Sequence, residues 1–159
     1  MKYWLMKTEP GTYSIEDLAK EKRKTTCWEG VRNYQARNMM RDDFKKGDRV
    51  LFYHSGGKDP AVVGTAKIAK GAYPDHFAWD SGSKYYDPKS SPENPRWFMV
   101  DVQLDKAFEQ PVTLSQMRNE PQLEQMELLR KGSRLSVQPV TESEFEVVLK
   151  MAEAAKNKA

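Results

Sequence analysis

The stretch from Thr26 to Asn38 carries the residue types best suited to chemistry in this chain. It supplies an indole, a phenol, two guanidinium groups and two carboxamides, from Trp28, Tyr34, Arg32, Arg37, Asn33 and Asn38. An aromatic ring stacks on a nucleobase, a carboxamide bonds to a base edge, and a guanidinium group matches phosphate oxygens. This composition indicates a site for a nucleotide that has left its stack.

The helix predicted over 34–44 separates a polar face from an apolar one. Positions i, i+3, i+4 and i+7 share one side of a helix, and here they are Tyr34, Arg37, Asn38 and Arg41. Alanine and methionine occupy the other side. Free backbone N–H groups at the helix start, beside Arg32, can bind phosphate. A phosphate-binding helix and an ordinary surface helix share this pattern, so both interpretations stay open here.

The tryptophans differ in their surroundings. Trp4 lies in an apolar run and is predicted to be a core residue, whereas Trp28 has the polar, flexible neighbours Glu29 and Gly30. Trp97, just before a predicted strand, fits either role. Stacking on an aromatic ring contributes on the order of 1–3 kcal/mol per base, so one such ring can dominate a weak site.

A second polar group follows the strand predicted over 48–53. Tyr53, His54 and Ser55 stand where this strand runs into a glycine-rich turn, a position suited to a pocket wall. The turn lacks the spacing of a phosphate-binding P-loop. A histidine at a strand end is more often a hydrogen-bonded surface residue than a catalyst.

The sequence offers little support for an enzyme. Cys27 and His54 are the candidates for a nucleophile and its base, but a single pair is weak grounds for catalysis. No Gly-x-Ser-x-Gly elbow occurs, and neither His54 nor His76 has the spacing of a metal ligand. We therefore expect no catalytic residues, no metal and no cofactor.

Composition places the chain among ordinary globular proteins. It has 159 residues, 38% hydrophobic and 31% charged, with a net charge of +3. The single Cys27 excludes an intramolecular disulfide and fits a reducing cytoplasm. No segment is long enough to span a bilayer, and the start from Met1 is not a signal peptide. We expect a bacterial cytoplasmic protein, because no long basic tail precedes the first strand, or a nuclear one if the source is eukaryotic.

The elements that position these residues are of mixed type. Strands are predicted over 2–7, 48–53, 61–70, 98–104 and 135–139, with a bend or bulge at Gly64. Capping boxes at Ser14, Thr113 and Thr141 predict three helix starts. The aromatic-rich segment 71–97 is predicted to be a loop over a sheet edge or pocket rim, because long ordered loops are often functional. This order predicts an α+β domain with a small curved sheet or barrel.

Blocks along nearly the whole chain resemble the EVE domain family. They are Trp4–Pro10, Cys27–Asn38, Phe52–Ser55, Ala72–Asp75, Asn94–Trp97, Val100–Val102 and Arg134–Val140. The resemblance implies one EVE domain over 1–159 with a PUA-like fold, a small β-barrel flanked by helices. It also implies a non-catalytic module that binds nucleic acid and holds a flipped, modified base, with modified cytosine in DNA as the implied ligand.

The resemblance gives roles to residues already noted. The base pocket would consist of Trp28, Asn33, Tyr53, His54, Ser55, Trp97 and Ser136. Phosphate or other nucleic-acid contacts would come from Lys7, Arg32, Tyr34, Arg37, Asn38, Arg41 and Arg134. The alternatives are an enzyme or processing factor acting on modified nucleotides, a reader of modified RNA, and a small-molecule or protein-interaction module. We expect DNA rather than RNA as partner and no membrane; the oligomeric state stays open, with a monomer favoured.

Overall fold

Six strands form one sheet in the computed structural model, which describes residues 1–158. They are β1 (Tyr3–Thr8), β2 (Thr25–Cys27), β3 (Arg49–His54), β4 (Ala61–Pro74), β5 (Phe98–Thr113) and β6 (Val137–Val140). Their order across the sheet is β2-β5-β4-β3-β1-β6. Strands β1 and β3 are parallel, and the other neighbouring strands are antiparallel.

Helices cover both faces of this sheet. They are α1 (Ile15–Lys20), α2 (Tyr34–Asp42), α3 (Leu114–Arg118) and α4 (Glu142–Lys158). Short 3-10 turns cover Lys22–Lys24, His76–Trp79, Pro121–Leu123 and Glu127–Leu129. No helix within residues 1–158 combines the length and the apolar character needed to cross a membrane.

Strand alternation divides the core into two layers. Along β3, Val50 and Phe52 face α1 and α2, while Leu51 and Tyr53 face α3 and α4. Trp4 lies on the first side, stacks on Phe44 at 4.3 Å and donates its indole N–H to Asp48. Since successive side chains of a strand point to opposite faces, β1 and β3 are buried on both sides, and the prediction that Trp4 is a core residue is confirmed.

The sheet curls because its longest strands are bulged. The register between β4 and β5 shifts between Val62 and Gly64, which confirms the predicted irregularity there. A Cβ at Gly64 would lie 2.4 Å from the carbonyl oxygen of Lys106, so only glycine fits. Hydrogen bonding does not close the curl, because β2 pairs with β5 and β6 with β1 at opposite ends of the sheet. The α+β class is confirmed, whereas "barrel" describes this open sheet only loosely.

Local signals placed most element starts correctly. The capping boxes at Ser14 and Thr113 are formed, and Thr141 exchanges the same two bonds with Glu144. Element lengths differ more. Strands β4 and β5 run on to Pro74 and Thr113, α2 ends at Asp42, and β2 was not predicted.

The last strand and the long loop also depart from expectation. Strand β6 continues through Pro139 to Val140 instead of ending at Pro139, which an edge strand tolerates because one side of its backbone needs no sheet partner. The predicted loop 71–97 begins as the end of β4 and contains the 3-10 turn at His76–Trp79.

Candidate nucleic-acid interface

A cavity of about 400 Å³ opens where the two edges of the curled sheet approach each other. Its walls come from the end of β1, the chain before α1, strand β2 with the turn after it, the long loop, and the residue before β6. The lining residues are Lys7, Thr8, Glu9, Thr12, Tyr13, Thr26, Cys27, Trp28, Glu29, Gly30, Val31, Lys84, Tyr85 and Ser136. Sheet curvature thus brings together residues that are far apart in the chain.

Trp28 forms the aromatic wall of this cavity. Its backbone N–H donates to Val100 at 2.7 Å, which continues the pairing of β2 with β5. The edge of its indole meets Phe52 at 5.6 Å, with the ring planes 88° apart. Trp4 and Trp97 donate their indole N–H groups to carboxylates, whereas that of Trp28 makes no hydrogen bond within the described chain. Trp28 is 9% exposed and lines the cavity.

The turn after Trp28 is held by one buried carboxylate. Asp75 accepts from the backbone N–H of Gly30 at 3.0 Å and from Nη1 of Arg32 at 3.0 Å. Its other oxygen accepts from the N–H of Phe77 at 3.0 Å. Arg32 also donates to the carbonyl of Tyr85 at 2.7 Å. Asp75 and Arg32 therefore fix Tyr85 over the turn and shape the cavity.

A cation–aromatic cluster lies beside the cavity at the start of α2. Tyr34 stacks on Trp97 at 4.8 Å, and the guanidinium of Arg37 lies 4.8 Å from the Tyr34 ring. Arg32 lies 5.3 Å from the Trp97 ring, and the Trp97 indole donates to Asp87 at 2.7 Å. Tyr34 is 51% exposed, while Trp97 is buried and does not line the cavity. The cluster thus offers one accessible aromatic ring next to the base-sized opening.

Three ionisable groups of the cavity wall, Lys7, Tyr13 and Cys27, have pKa values shifted toward the neutral form. Burial, with Glu29 adding to it, raises the pKa of Cys27 to about 11. Burial raises the pKa of Tyr13 to about 12 and lowers the pKa of Lys7, an effect that Glu127 opposes. At neutral pH, Cys27 is therefore a protonated thiol, 3.6 Å from a Glu29 oxygen.

Besides Trp97, four more of the seven predicted base-pocket residues do not line the cavity. Asn33 caps α2 by accepting from the N–H of Ala36 at 3.0 Å. Tyr53 packs on the opposite face of the sheet. His54 Nε2 accepts from the N–H of Ile15 at 3.1 Å, and burial lowers the pKa of this imidazole. Ser55 donates its backbone N–H to Thr8 at 2.9 Å.

The predicted phosphate contacts are also dispersed. Lys7 lines the cavity. Arg37 donates to the carbonyl of Arg96 at 2.9 Å and to the side chain of Asn38. Arg41 pairs with Asp42 at 2.8 Å on the exposed face of α2, and Arg134 is exposed. Of the predicted set, the cavity itself unites Lys7, Trp28 and Ser136.

Several lining residues were not singled out from the sequence. Thr26 and Glu29 lie within two residues of Trp28 in the stretch from Thr26 to Asn38, so proximity to Trp28 was an available signal. Lys84 and Tyr85 belong to the aromatic-rich segment predicted to cover a pocket rim, and their position confirms that prediction. Tyr13 had no local signal. In the described part of the chain, no three His, Cys, Asp or Glu side chains are arranged to hold a metal ion.

The EVE domain family matches residues 2–151 of this chain. Human thymocyte nuclear protein 1 is 42% identical over 168 residues, covering 95% of this chain and 74% of the human protein. A solved structure of a hypothetical protein from Leishmania major is similar, with a TM-score of 0.92, 46% identity, and coverage of 98% of this chain and 97% of that one.

A second solved structure contains a ligand. Human thymocyte nuclear protein 1, crystallised in complex with DNA containing 5-methylcytosine, has a TM-score of 0.88 and 41% identity. The similarity covers 96% of this chain and 98% of that chain. The fold that carries the Trp28 cavity is therefore the fold of a protein seen with modified DNA.

Proposed function

This chain belongs to the EVE domain family, and from that membership we propose that it is a non-catalytic module that binds a modified cytosine of DNA in the Trp28 cavity. The observation that carries the proposal is a cavity of about 400 Å³ with an indole wall whose N–H has no partner in the described chain. This volume is at the low end of the range for ligand pockets. The human relative crystallised with DNA containing 5-methylcytosine supports the choice of ligand.

The polar lining complements the edge of a cytosine. Cytosine presents an amino donor at N4 and acceptors at O2 and N3, and a carboxylate suits the amino group. Glu29 supplies such a carboxylate, while Ser136 and the Trp28 indole supply donors. Removal of a base from its stack costs a few kcal/mol, so stacking and edge bonds together must offset that cost.

A methyl group adds little by itself. Its full burial contributes about 0.8 kcal/mol, which corresponds to about fourfold in affinity. We therefore expect hydrophobic contact with Trp28 to give a modest preference for methylated over plain cytosine. A much larger preference would require a polar contact specific to the modification.

We propose phosphate contacts at the rim of the cavity and along the adjacent helix α2. Lys7 and Lys84 line the cavity and are the cations nearest to a bound nucleotide. Arg37 and Tyr34 extend this surface along α2. The Arg41–Asp42 pair is exposed, and such pairs contribute less than about 1 kcal/mol, so Arg41 can exchange its partner for a phosphate. Arg32 acts mainly through Asp75, as an organiser of the turn.

Binding without catalysis is supported by the state of the candidate nucleophile. A thiolate, not a thiol, is the nucleophilic form of cysteine, and the pKa of Cys27 is raised to about 11. The Nε2 atom of His54 is occupied by the N–H of Ile15. A chain whose Cys27→Ala variant loses turnover on a modified nucleotide would instead be an enzyme.

The test is a titration against oligonucleotides that differ only in cytosine modification, as DNA and as RNA, at two salt concentrations. We expect tighter binding to DNA with 5-methylcytosine than to plain DNA, and weaker binding at higher salt. Tyr85→Ala, on the cavity wall, should reduce the preference, whereas the neighbouring Tyr86→Ala should not, because Tyr86 is exposed and does not line the cavity. If no oligonucleotide bound detectably at either salt concentration, the proposal would be refuted. Preference for RNA would identify the protein as a reader of modified RNA instead.

Two further properties belong to the proposal. Residues 1–159 would form one EVE domain. In a eukaryotic cell the protein would be nuclear, as the name of its human relative indicates, and in a bacterium it would be cytoplasmic.

A further inference from the structure

We propose that a basic groove on the far side of β2 holds backbone phosphates of the DNA strand whose base enters the Trp28 cavity. The groove has a volume of about 670 Å³ and lies among the 3-10 turn Lys22–Lys24, the turn before β3, and the adjacent parts of β4 and β5. Its lining includes Lys22, Arg23, Thr25, Lys46, Lys67 and Gln103. This inference rests on the proposed function and adds a second contact surface to it.

The charge of the groove is of one sign. Lys22, Arg23, Lys46 and Lys67 are exposed, and no lining residue is acidic. None of these four cations belongs to an ion pair within residues 1–158, although lysines and arginines elsewhere are paired, as Lys106 is with Glu153. Grooves lined by one sign of charge concentrate counter-ions and polyanions.

Glu21, which directly precedes Lys22, does not line the groove, and the carboxylate nearest to Lys46 in the chain is not available to neutralise it. Asp48, two residues after Lys46, is buried and accepts from the Trp4 indole at 3.0 Å and from the N–H of Lys45 at 3.0 Å. Its bonds hold the turn that presents Lys46. The positive charge of the groove is therefore open to an external anion.

The backbone beneath Arg23 is built in an unfavourable conformation. Arg23 and Lys24 have φ angles of 57° and 52°, in the left-handed region that side chains other than glycine rarely adopt. The carbonyl of Arg23 accepts from Thr25 Oγ1 at 2.9 Å and from Gln103 Nε2 at 3.2 Å. Glycine would suit this position better, so an arginine at this position carries a conformational cost.

Strand β2 connects the groove to the cavity. Thr25 lines the groove, and the next residues, Thr26 and Cys27, line the cavity. Three residues of extended chain, from Thr25 to Trp28, span about 10 Å. Because each strand of B-DNA carries one phosphate per about 3.4 Å of helix axis, the groove matches phosphates about three nucleotides from the flipped base.

The test compares two triple variants of equal charge. One is Lys22→Gln, Lys46→Gln, Lys67→Gln, in the groove; the control is Lys58→Gln, Lys89→Gln, Lys150→Gln, at exposed positions outside the groove and the cavity. For a long DNA with 5-methylcytosine, the groove variant should lose about tenfold or more in affinity, and its salt slope should fall by about 2–3. Its affinity for a trinucleotide with the same base, and its preference for methylation, should stay at wild-type values.

Arg23→Gly separates binding from folding. Relief of the left-handed strain should raise Tm, while loss of the guanidinium should weaken binding to the long DNA. A groove variant with the affinity and salt slope of the control would overturn this inference and leave the proposed function intact. Wild-type protein that binds none of the oligonucleotides would overturn both.

Discussion

The phenol ring of Tyr85 lies directly over Gly30, so that a Cβ at position 30 would be 2.4 Å from Tyr85 Cζ. Gly30 also has a φ of 83°, a conformation that favours glycine. The residue after Glu29 must therefore be small for two independent reasons, one in its own backbone and one in a loop far along the chain.

Gly30→Ala should destabilise the protein and weaken DNA binding. The left-handed backbone costs an alanine about 1–2 kcal/mol, and displacement of Tyr85 should open the cavity wall. Denaturant unfolding and the titration measure the two effects. Gly56→Ala is the matched control, because Gly56 has a φ of 77° but no atom within 4 Å of its Cβ position. The Gly56→Ala variant should lose stability but keep its affinity for DNA. If both variants lost the same affinity, Tyr85 would lie outside the interface.

Trp28→Phe should reduce affinity for modified cytosine while the protein stays folded. The phenyl ring keeps an aromatic face against Phe52 but lacks the indole N–H, which makes no hydrogen bond within the described chain. Trp28→Ala removes more and should cost about 3–5 kcal/mol of stability. Trp97→Phe is the comparison: it loses the bond to Asp87 and should lower Tm with little change in preference for methylation. The reverse result would move the base pocket to Trp97.

Asp75→Asn should unfold more easily and also lose binding. It leaves Arg32 facing an uncharged, buried partner where a carboxylate had accepted its Nη1 at 3.0 Å. Breaking such a pair typically costs about 3–5 kcal/mol, and the partial exposure of Arg32 places the expected loss at the lower end. Thermal unfolding measures it. Asp105→Asn breaks a more exposed pair with Arg49 and should lower stability much less. Equal losses of stability in the two variants would mean that Asp75 does not organise the turn.

Cys27 should react slowly with alkylating reagents near neutral pH. Its pKa is raised to about 11, so the thiolate fraction is small at pH 8 and rises only as the pH approaches the raised value. An ordinary cysteine has a pKa of about 8.5, so its thiolate fraction is already large well below pH 11. The measurement is the rate of iodoacetamide labelling against pH, with the unfolded chain as control. Bound DNA should slow labelling further. A folded-state rate equal to that of the unfolded chain would contradict the assignment.

Local periodicity in the sequence determined most of the longer elements and which of their faces are buried. The alternation of Val50, Leu51, Phe52 and Tyr53 defined both sides of β3, and the helical phase of Ala36 and Met40 defined the buried side of α2. Capping boxes located helix starts because their bonds join residues three apart. The polar, flexible neighbours of Trp28 indicated a pocket residue, and the family resemblance supported the same role.

Only the tertiary structure decided which side chains share the cavity. Tyr53 follows Phe52 directly, yet strand alternation sends it to the opposite layer, and Arg32 turns toward Asp75, 43 positions away. Lys7, Trp28, Tyr85 and Ser136 meet because bulges curl the sheet and bring its two edges together. Pairings between distant strands depend on curvature and register summed over the whole sheet, which no local pattern of residues encodes.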